Sequence, residues 1–243
     1  MATTAAYDRW AQVYDTDANP LQALDDHELT TLLPEFVALL EPHEHTAFRI
    51  TDLGCGTGRN TLKLMSIPNV EIAGLDASEK MLDIARSRCR LCHDSLPSDA
   101  RARNVVLEQF DMLSQNEAPQ CARSSQALIS TLVLEHIPLP TFFSTTSSLL
   151  VNGGHLLLTN MHAEMGSISQ AGFVDPESGE KVRPVSYAHE IEDVLAEARR
   201  CGFNLVRDVK EAAVEAEMVE KLGRRAEKWV GIKCWFGVIF RKG

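Results

Sequence analysis

The chain has no apolar run of the about 18 residues that a membrane span needs. Its opening, Met1-Ala-Thr-Thr-Ala-Ala-Tyr7-Asp8-Arg9-Trp10, has no basic stretch leading into an apolar core of the export-signal kind. Together these absences lead us to expect a soluble, cytoplasmic protein with no membrane partner. Basic charge is also short: 24 Lys and Arg stand against 34 Asp and Glu, a net charge of −10. A chain that neutralises many phosphates needs a basic footprint, so nucleic acid is not an expected partner. The one basic cluster, Lys221, Arg224, Arg225 and Lys228, reads as a solvated helix face or as a docking surface. Metal-ligand spacing is missing from the six cysteines. Cys89-Arg90-Leu91-Cys92-His93 matches the haem-attachment pattern in form, but it ends a helical stretch and has no obvious partner ligand, so chance explains it. Reduced thiols and no metal are expected.

What is present begins with Asp52-Leu53-Gly54-Cys55-Gly56-Thr57-Gly58-Arg59-Asn60-Thr61. It follows a strand-like run at 48–53 and precedes the apolar side of a helix. Alternate glycines remove Cβ atoms, so the backbone can turn tightly and a ligand can touch the main chain. The helix behind it points unpaired N–H groups into that space. A second strand is predicted over 70–76, ending in Asp76, with Ser78 as N-cap of a helix over 79–92. A third covers 105–111 and ends in Asp111. The nearly continuous apolar run at 127–132 reads as a central parallel strand buried on both faces. A helix over 141–150 leads to a fifth strand at 155–160.

Ahead of these lie a short helix over 7–15, with Tyr7, Trp10, Ala11 and Tyr14 along one side, and a longer one over 25–40. Pro34 either kinks the longer helix or opens a second, and Pro42 ends it. Residues 161–187 form a connection too long and too rich in Gly, Ser and Pro for an ordinary connector, which marks a functional loop. A helix over 187–200, a strand over 203–214, a helix over 215–230 and a strand over 232–241 complete the chain. No repeat or linker interrupts it, so residues 1–243 read as one domain, with 1–45 as a helical cap and 161–187 as a covering loop. The element order predicts an α/β, doubly wound, mostly parallel sheet. Its ligand would lie outside the strand C-termini, where the glycine loop, Asp76, Asp111, Ser130 and Asn160 converge.

The glycine run, the two strand-ending acids and Leu134-Glu135-His136-Ile137 after the fourth strand together resemble the class I S-adenosylmethionine-dependent methyltransferases. The segment from Tyr7 to Asp15 is similar to small-molecule members of that superfamily. The resemblance covers essentially the whole chain and implies a Rossmann-like seven-stranded sheet with a reversed C-terminal edge strand. It also implies S-adenosyl-L-methionine as cofactor and S-adenosyl-L-homocysteine as product. By the resemblance, Gly54, Cys55 and Gly56 would lie against the methionine part, and Asp52 would order the loop and face the amino group. Asp76 would take both ribose hydroxyls, and Ala77 and Met81 would flank the adenine. Asp111 would hold the exocyclic amine beside the Met112 N–H. Ser130, Thr131 and Leu132 would line the methionine side, and Tyr14 would close the top. Dinucleotide oxidoreductases space their glycines G-x-G-x-x-G. Here the third comes one residue early, and neither Asp111 nor Glu135-His136 has a role in that scheme.

Methyl transfer needs alignment and exclusion of water, with a base only where the nucleophile arrives protonated. His136 and His162 stand where such a base could act, or they hydrogen-bond locally. Met161, Met165, Ile168, Phe173 and Tyr187 offer wall material for an apolar acceptor, with Trp229 and Trp235 as wall or core. Arg183 could anchor an anion or sit in solvent. The expected reaction is methyl transfer to a small organic acceptor. Alternatives are carboxyl methylation of a carrier-bound substrate, with the basic stretch 221–228 as docking face, or a cofactor-binding module without turnover.

Overall fold

The computed structural model describes residues 3–40, 48–97, 101–115, 117–170, 172–175 and 178–243. Helices α1 (Thr3–Trp10) and α2 (Pro20–Ala38) come first. Then follow β1 (Phe48–Leu53), α3 (Arg59–Leu64), β2 (Val70–Asp76), α4 (Glu79–Ser95), β3 (Asn104–Gln109) and β4 (Ser125–Thr131). After a 3₁₀ turn at Leu134–His136 come α5 (Leu139–Leu149), β5 (Leu150–Met161) and α6 (Ala163–Ile168). The remaining elements are β6 (Phe173–Val174), β7 (Lys181–Val182), α7 (Ile191–Arg200), β8 (Phe203–Leu205), β9 (Lys210–Ala213), α8 (Val219–Leu222) and β10 (Lys233–Lys242).

The main sheet runs β3-β2-β1-β4-β5-β10-β8, with β9 also paired to β10. Strands β1 to β5 are mutually parallel where they pair, and β10 runs against β5. This is the expected doubly wound, mostly parallel sheet with one reversed strand. The outermost position is divided between β8 and β9, both antiparallel to β10, so the reversed strand lies one place in from the edge. The expected single strand over 203–214 therefore breaks. Polar Arg207-Asp208 falls where the chain leaves the sheet and returns.

Apolar side chains cover both faces of the sheet. Ile50, Ile72, Ile129, Leu157 and Ile239 pack on one side with Leu32 and Phe36 of α2. Leu53, Leu128, Leu158, Val238 and Phe240 pack on the other with Phe142 and Phe143 of α5. A third cluster joins Ala6 and Trp10 of α1 to Met81 of α4 and to Phe173 and Val182 of the small hairpin.

Three expectations need correction. The longer N-terminal helix begins at Pro20, capped by Asn19, whose side chain accepts from the Leu21 N–H at 3.1 Å, and it passes through Pro34 without stopping. Pro34 and Thr30 are exposed, so water can satisfy the carbonyl that proline leaves unpaired; Pro42 lies outside the described residues. The segment 161–187 contains α6 and the β6–β7 hairpin rather than an open loop. Residues 215–230 do not form one helix: Gly223, at φ +89°, divides them into short 3₁₀ and α turns.

Candidate active site

The end of β1 is bound to β2 by the N–H groups of Gly54 and Cys55, both donating to the Leu75 carbonyl at 2.7 and 2.9 Å. At Gly54 (φ +79°) a Cβ would fall 2.2 Å from the Val133 side chain, so only glycine fits. At Gly56 (φ +53°) a Cβ would meet nothing within 4 Å, and the residue lines a chamber. The Gly56 and Ser78 N–H groups each donate to one oxygen of Asp76, both at 2.8 Å. Burial pushes the Asp76 carboxyl up to about 6, against the pull of those two N–H groups.

Around this chamber stand Gly54, Gly56, Asp76, Ala77 and Met81, with Phe110, Asp111 and Met112 at the β3 end. Thr131, Leu132, Val133 and His136 close the β4 side, and Tyr7 and Tyr14 come down from the N-terminal segment. Three expected members sit behind the wall instead. Asp52 accepts from the Thr61 hydroxyl at 2.6 Å, and burial raises its carboxyl to about 6. It braces the loop from beneath and does not reach the cavity. The Cys55 sulfur packs toward Gly74, on the far side of the loop. Ser130 donates to the Leu53 carbonyl at 2.8 Å and so ties β4 to β1. Asp111 reaches the chamber, but its carboxylate also holds its own turn, accepting from the Leu113 N–H at 2.9 Å and the Ser114 hydroxyl at 3.0 Å.

A second chamber adjoins the first, lined by Trp10, Glu135, Met161, Met165 and Trp229, with Arg225 and Lys228 at its mouth. Tyr7, Tyr14 and Leu132 line both chambers. Leu132 holds φ +56°, a costly conformation for a leucine, and its N–H donates to Thr159 O at 3.0 Å.

The N-terminal segment roofs both chambers. The Asp8 carboxylate accepts from the Ser78 hydroxyl at 2.6 Å, and Asp15 from the Thr57 hydroxyl at 3.0 Å. Tyr7 Oη meets His136 Nε2 at 2.7 Å. His136 Nδ1 lies 2.6 Å from the Val185 carbonyl, which can only accept. In a neutral ring Nδ1 therefore carries the proton, and Nε2 accepts from Tyr7.

Other residues expected at the acceptor lie elsewhere. His162 caps α6 by accepting from the Glu164 N–H at 3.1 Å, and its other nitrogen meets Glu211 at 3.0 Å, outside both chambers. Phe173 stacks on the far face of Trp10 at 4.9 Å and lines only an outer cleft. Arg183 is exposed, as is the Tyr187 ring, which stacks on His189. Tyr187 contributes through its backbone, donating to Glu135 O at 2.7 Å. Ile168 is exposed, and Trp235 is core, donating to Asp25 at 2.8 Å.

Two wall residues were not expected there: Tyr7 was assigned only to the N-terminal helix, and turn geometry was expected to point Glu135 elsewhere. A charged residue between the apolar Leu134 and Ile137, just past a central strand, was the available signal for Glu135. A lone acid in an apolar setting requires a reason.

Comparisons with known proteins bear on the family and the fold. Residues 50–154 match a family described as "Methyltransferase domain". The chain is 48% identical to an uncharacterized methyltransferase of Emericella nidulans, over 97% of this chain and 89% of that protein. It is 32% identical to the malonyl-[acyl-carrier protein] O-methyltransferase of Yersinia pestis, over 53% of this chain and 44% of that one. Among solved structures, the magnesium protoporphyrin IX methyltransferase of Synechocystis with bound SAH is similar at a TM-score of 0.61. It shares 15% identity, over 99% of this chain and 95% of that one.

Proposed function

We propose a division of labour between the two chambers of this chain, which belongs to the class I S-adenosylmethionine-dependent methyltransferases: one holds the methyl donor, the other a small-molecule acceptor. The observation that carries the reading is the shared wall. Tyr7, Tyr14 and Leu132 face both spaces, so a methyl group presented there is in reach of a nucleophile on the other side.

The first chamber suits the donor on its own chemistry. Gly56 leaves open the volume that any side chain would take. Asp76 spends one lone pair of each oxygen on a backbone N–H, leaving the outer ones for two adjacent hydroxyls. Phe110, Met112 and Met81 offer apolar surface for a flat ring. Bound S-adenosylmethionine supplies an electrophilic methyl on a positively charged sulfur. The chain's own residues align it and exclude water. His136 is spent on Tyr7 and Val185, and its role is to hold the roof against the β4 turn.

Calorimetry with S-adenosylmethionine and S-adenosylhomocysteine, followed by a mass-spectrometric search for acceptors gaining one methyl group, tests the reading. Absence of binding to the wild-type chain ends it. A second reading, carboxyl methylation of a carrier-bound substrate, draws on the similarity to the malonyl-carrier enzymes and on Arg225 and Lys228 at the mouth of the second chamber.

A further inference from the structure

Glu135 is the one acid on the wall of the second chamber among the described residues, and its side chain is 3% exposed. Its backbone is held at both ends: the N–H donates to Asn160 Oδ1 at 3.1 Å, and the carbonyl accepts from Tyr187 N. The side chain starts from a fixed point and faces the aromatic roof. Oε1 lies 3.9 Å from His136 Nε2, beyond hydrogen-bond reach, and Oε2 has no partner among the described residues. Leaving a carboxylate oxygen buried and unpaired costs several kcal/mol in such surroundings, so native structures rarely do it without a ligand in view.

We propose that Glu135 Oε2 receives the reacting end of the acceptor, which is therefore an aromatic or apolar molecule whose nucleophile carries an O–H or N–H, and not a carboxylate. This rests on the two-chamber reading above. An ionised carboxylate only accepts hydrogen bonds, so its natural partner brings a donor. A second carboxylate in the same apolar space would set two like charges together. Tyr7, Trp10 and Tyr14 give ring faces that attract an aromatic ring or a cationic amine, and Met161 and Met165 fill around it. Burial raises the Glu135 carboxyl above its ordinary range while neighbouring His136 lowers it, and Asp25 adds a smaller upward push. A base nearer working pH is the better base.

In the reaction the acceptor's X–H bond breaks, and the proton passes to Oε2. The freed electron pair forms the bond from X to the methyl carbon. The old methyl–sulfur bond breaks with its pair remaining on sulfur, which loses its positive charge. The proton leaves Glu135 to solvent as product departs.

The test uses the full chain loaded with S-adenosylhomocysteine and titrated calorimetrically with benzylamine, phenol and benzoate. The amine or the phenol should bind at least about tenfold tighter than benzoate, and Glu135→Gln should erase that preference with homocysteine-product affinity unchanged. With the best acceptor from the mass-spectrometric search, Glu135→Gln should lower kcat by about 10²–10⁴ and flatten its acid limb, and Glu135→Asp should restore part of the loss. Preferred binding of benzoate, no binding of any probe, or unchanged kcat in Glu135→Gln overturns the proposal. So does a large loss of S-adenosylhomocysteine affinity in that variant, which would put the carboxylate on the donor side. If Glu135→Gln does not fold, the wild-type probe preference still decides. Failure of the wild-type chain to bind S-adenosylhomocysteine would instead refute the two-chamber reading.

Discussion

Tyr7 Oη and His136 Nε2 lie 2.7 Å apart across 129 residues of sequence, and this bond joins the N-terminal roof to the turn after the central strand. Tyr7→Phe keeps the ring and deletes the bond, leaving the buried imidazole nitrogen unpaired. The loss should be about 1–3 kcal/mol, a fall in Tm of roughly 2–6 °C. Hydrogen exchange in α1 should quicken more than in β4, since the roof is the part released. Equal protection in mutant and wild type would show that other contacts hold α1.

The two glycines of the loop should respond oppositely to substitution. Gly54→Ala drives a Cβ into Val133 at 2.2 Å and should cost more than the about 1–2 kcal/mol of a left-handed alanine alone. Gly56→Leu pays only that backbone strain, because its side chain enters open space. It should stay folded by circular dichroism and show no S-adenosylhomocysteine binding by calorimetry. A Gly56→Leu protein that still binds would remove the donor from this chamber.

On the proposed reading, Asp76 should link cofactor binding to pH. Its carboxyl, ordinarily near 3.8, stands at about 6 in the free protein, and acceptance of two hydroxyls favours the ionised form. S-adenosylhomocysteine affinity should be flat above about pH 7 and weaken by up to about tenfold per unit as pH falls below 6. Asp76→Asn should weaken binding and abolish the dependence. Stability of the free protein carries the opposite sign. Asp52 and Asp76 both have raised folded-state values of about 6, so the folded chain binds protons more tightly than the unfolded one. Their contribution is full below about pH 4 and is lost as pH rises through 6. Asp52→Asn should therefore raise Tm at pH 7 and bring progressively less gain toward pH 4.5.

Asp25 is fully buried, and Arg59 reaches it from the glycine-loop helix at 2.5 Å. Thr159 and Trp235 also donate to it, at 2.6 and 2.8 Å. Asp25→Ala strands a buried guanidinium, although Asp26 remains beside it at 2.9 Å, and should cost about 3–5 kcal/mol. The double change Asp25→Leu with Arg59→Met should recover most of that loss in urea unfolding. Recovery would show that the pair serves to position α2 on the loop rather than to add net stability.

Much of the fold was legible because its signals are local. Strand β4 reads as Ala127-Leu128-Ile129, apolar on both faces, and Ser78 announces α4 by a cap that needs only three residues. The 215–230 segment was misread because its helical composition conceals Gly223, whose left-handed φ breaks the run. On the wall of the first chamber, Gly54, Gly56 and Asp76 were legible from spacing against a strand end, and Ala77 and Met81 only through the family resemblance. Cys55 and Ser130 were not separable from them, since alternation along a loop does not say which side chain turns inward.

His136 and His162 were equal candidates in sequence, each following a strand at the crevice. Packing distinguished them: one is drawn under Tyr7 by the roof, the other is turned out to cap α6 and meet Glu211. The sequence alone determined the sheet and the glycine loop, because periodicity, glycine spacing and strand-end acids act within a few residues of themselves. The tertiary structure decided the second chamber. Tyr7, Leu132, Glu135 and Met165 come together only when the N-terminal helix folds back across the strand ends, and an unpaired carboxylate is a property of everything around it.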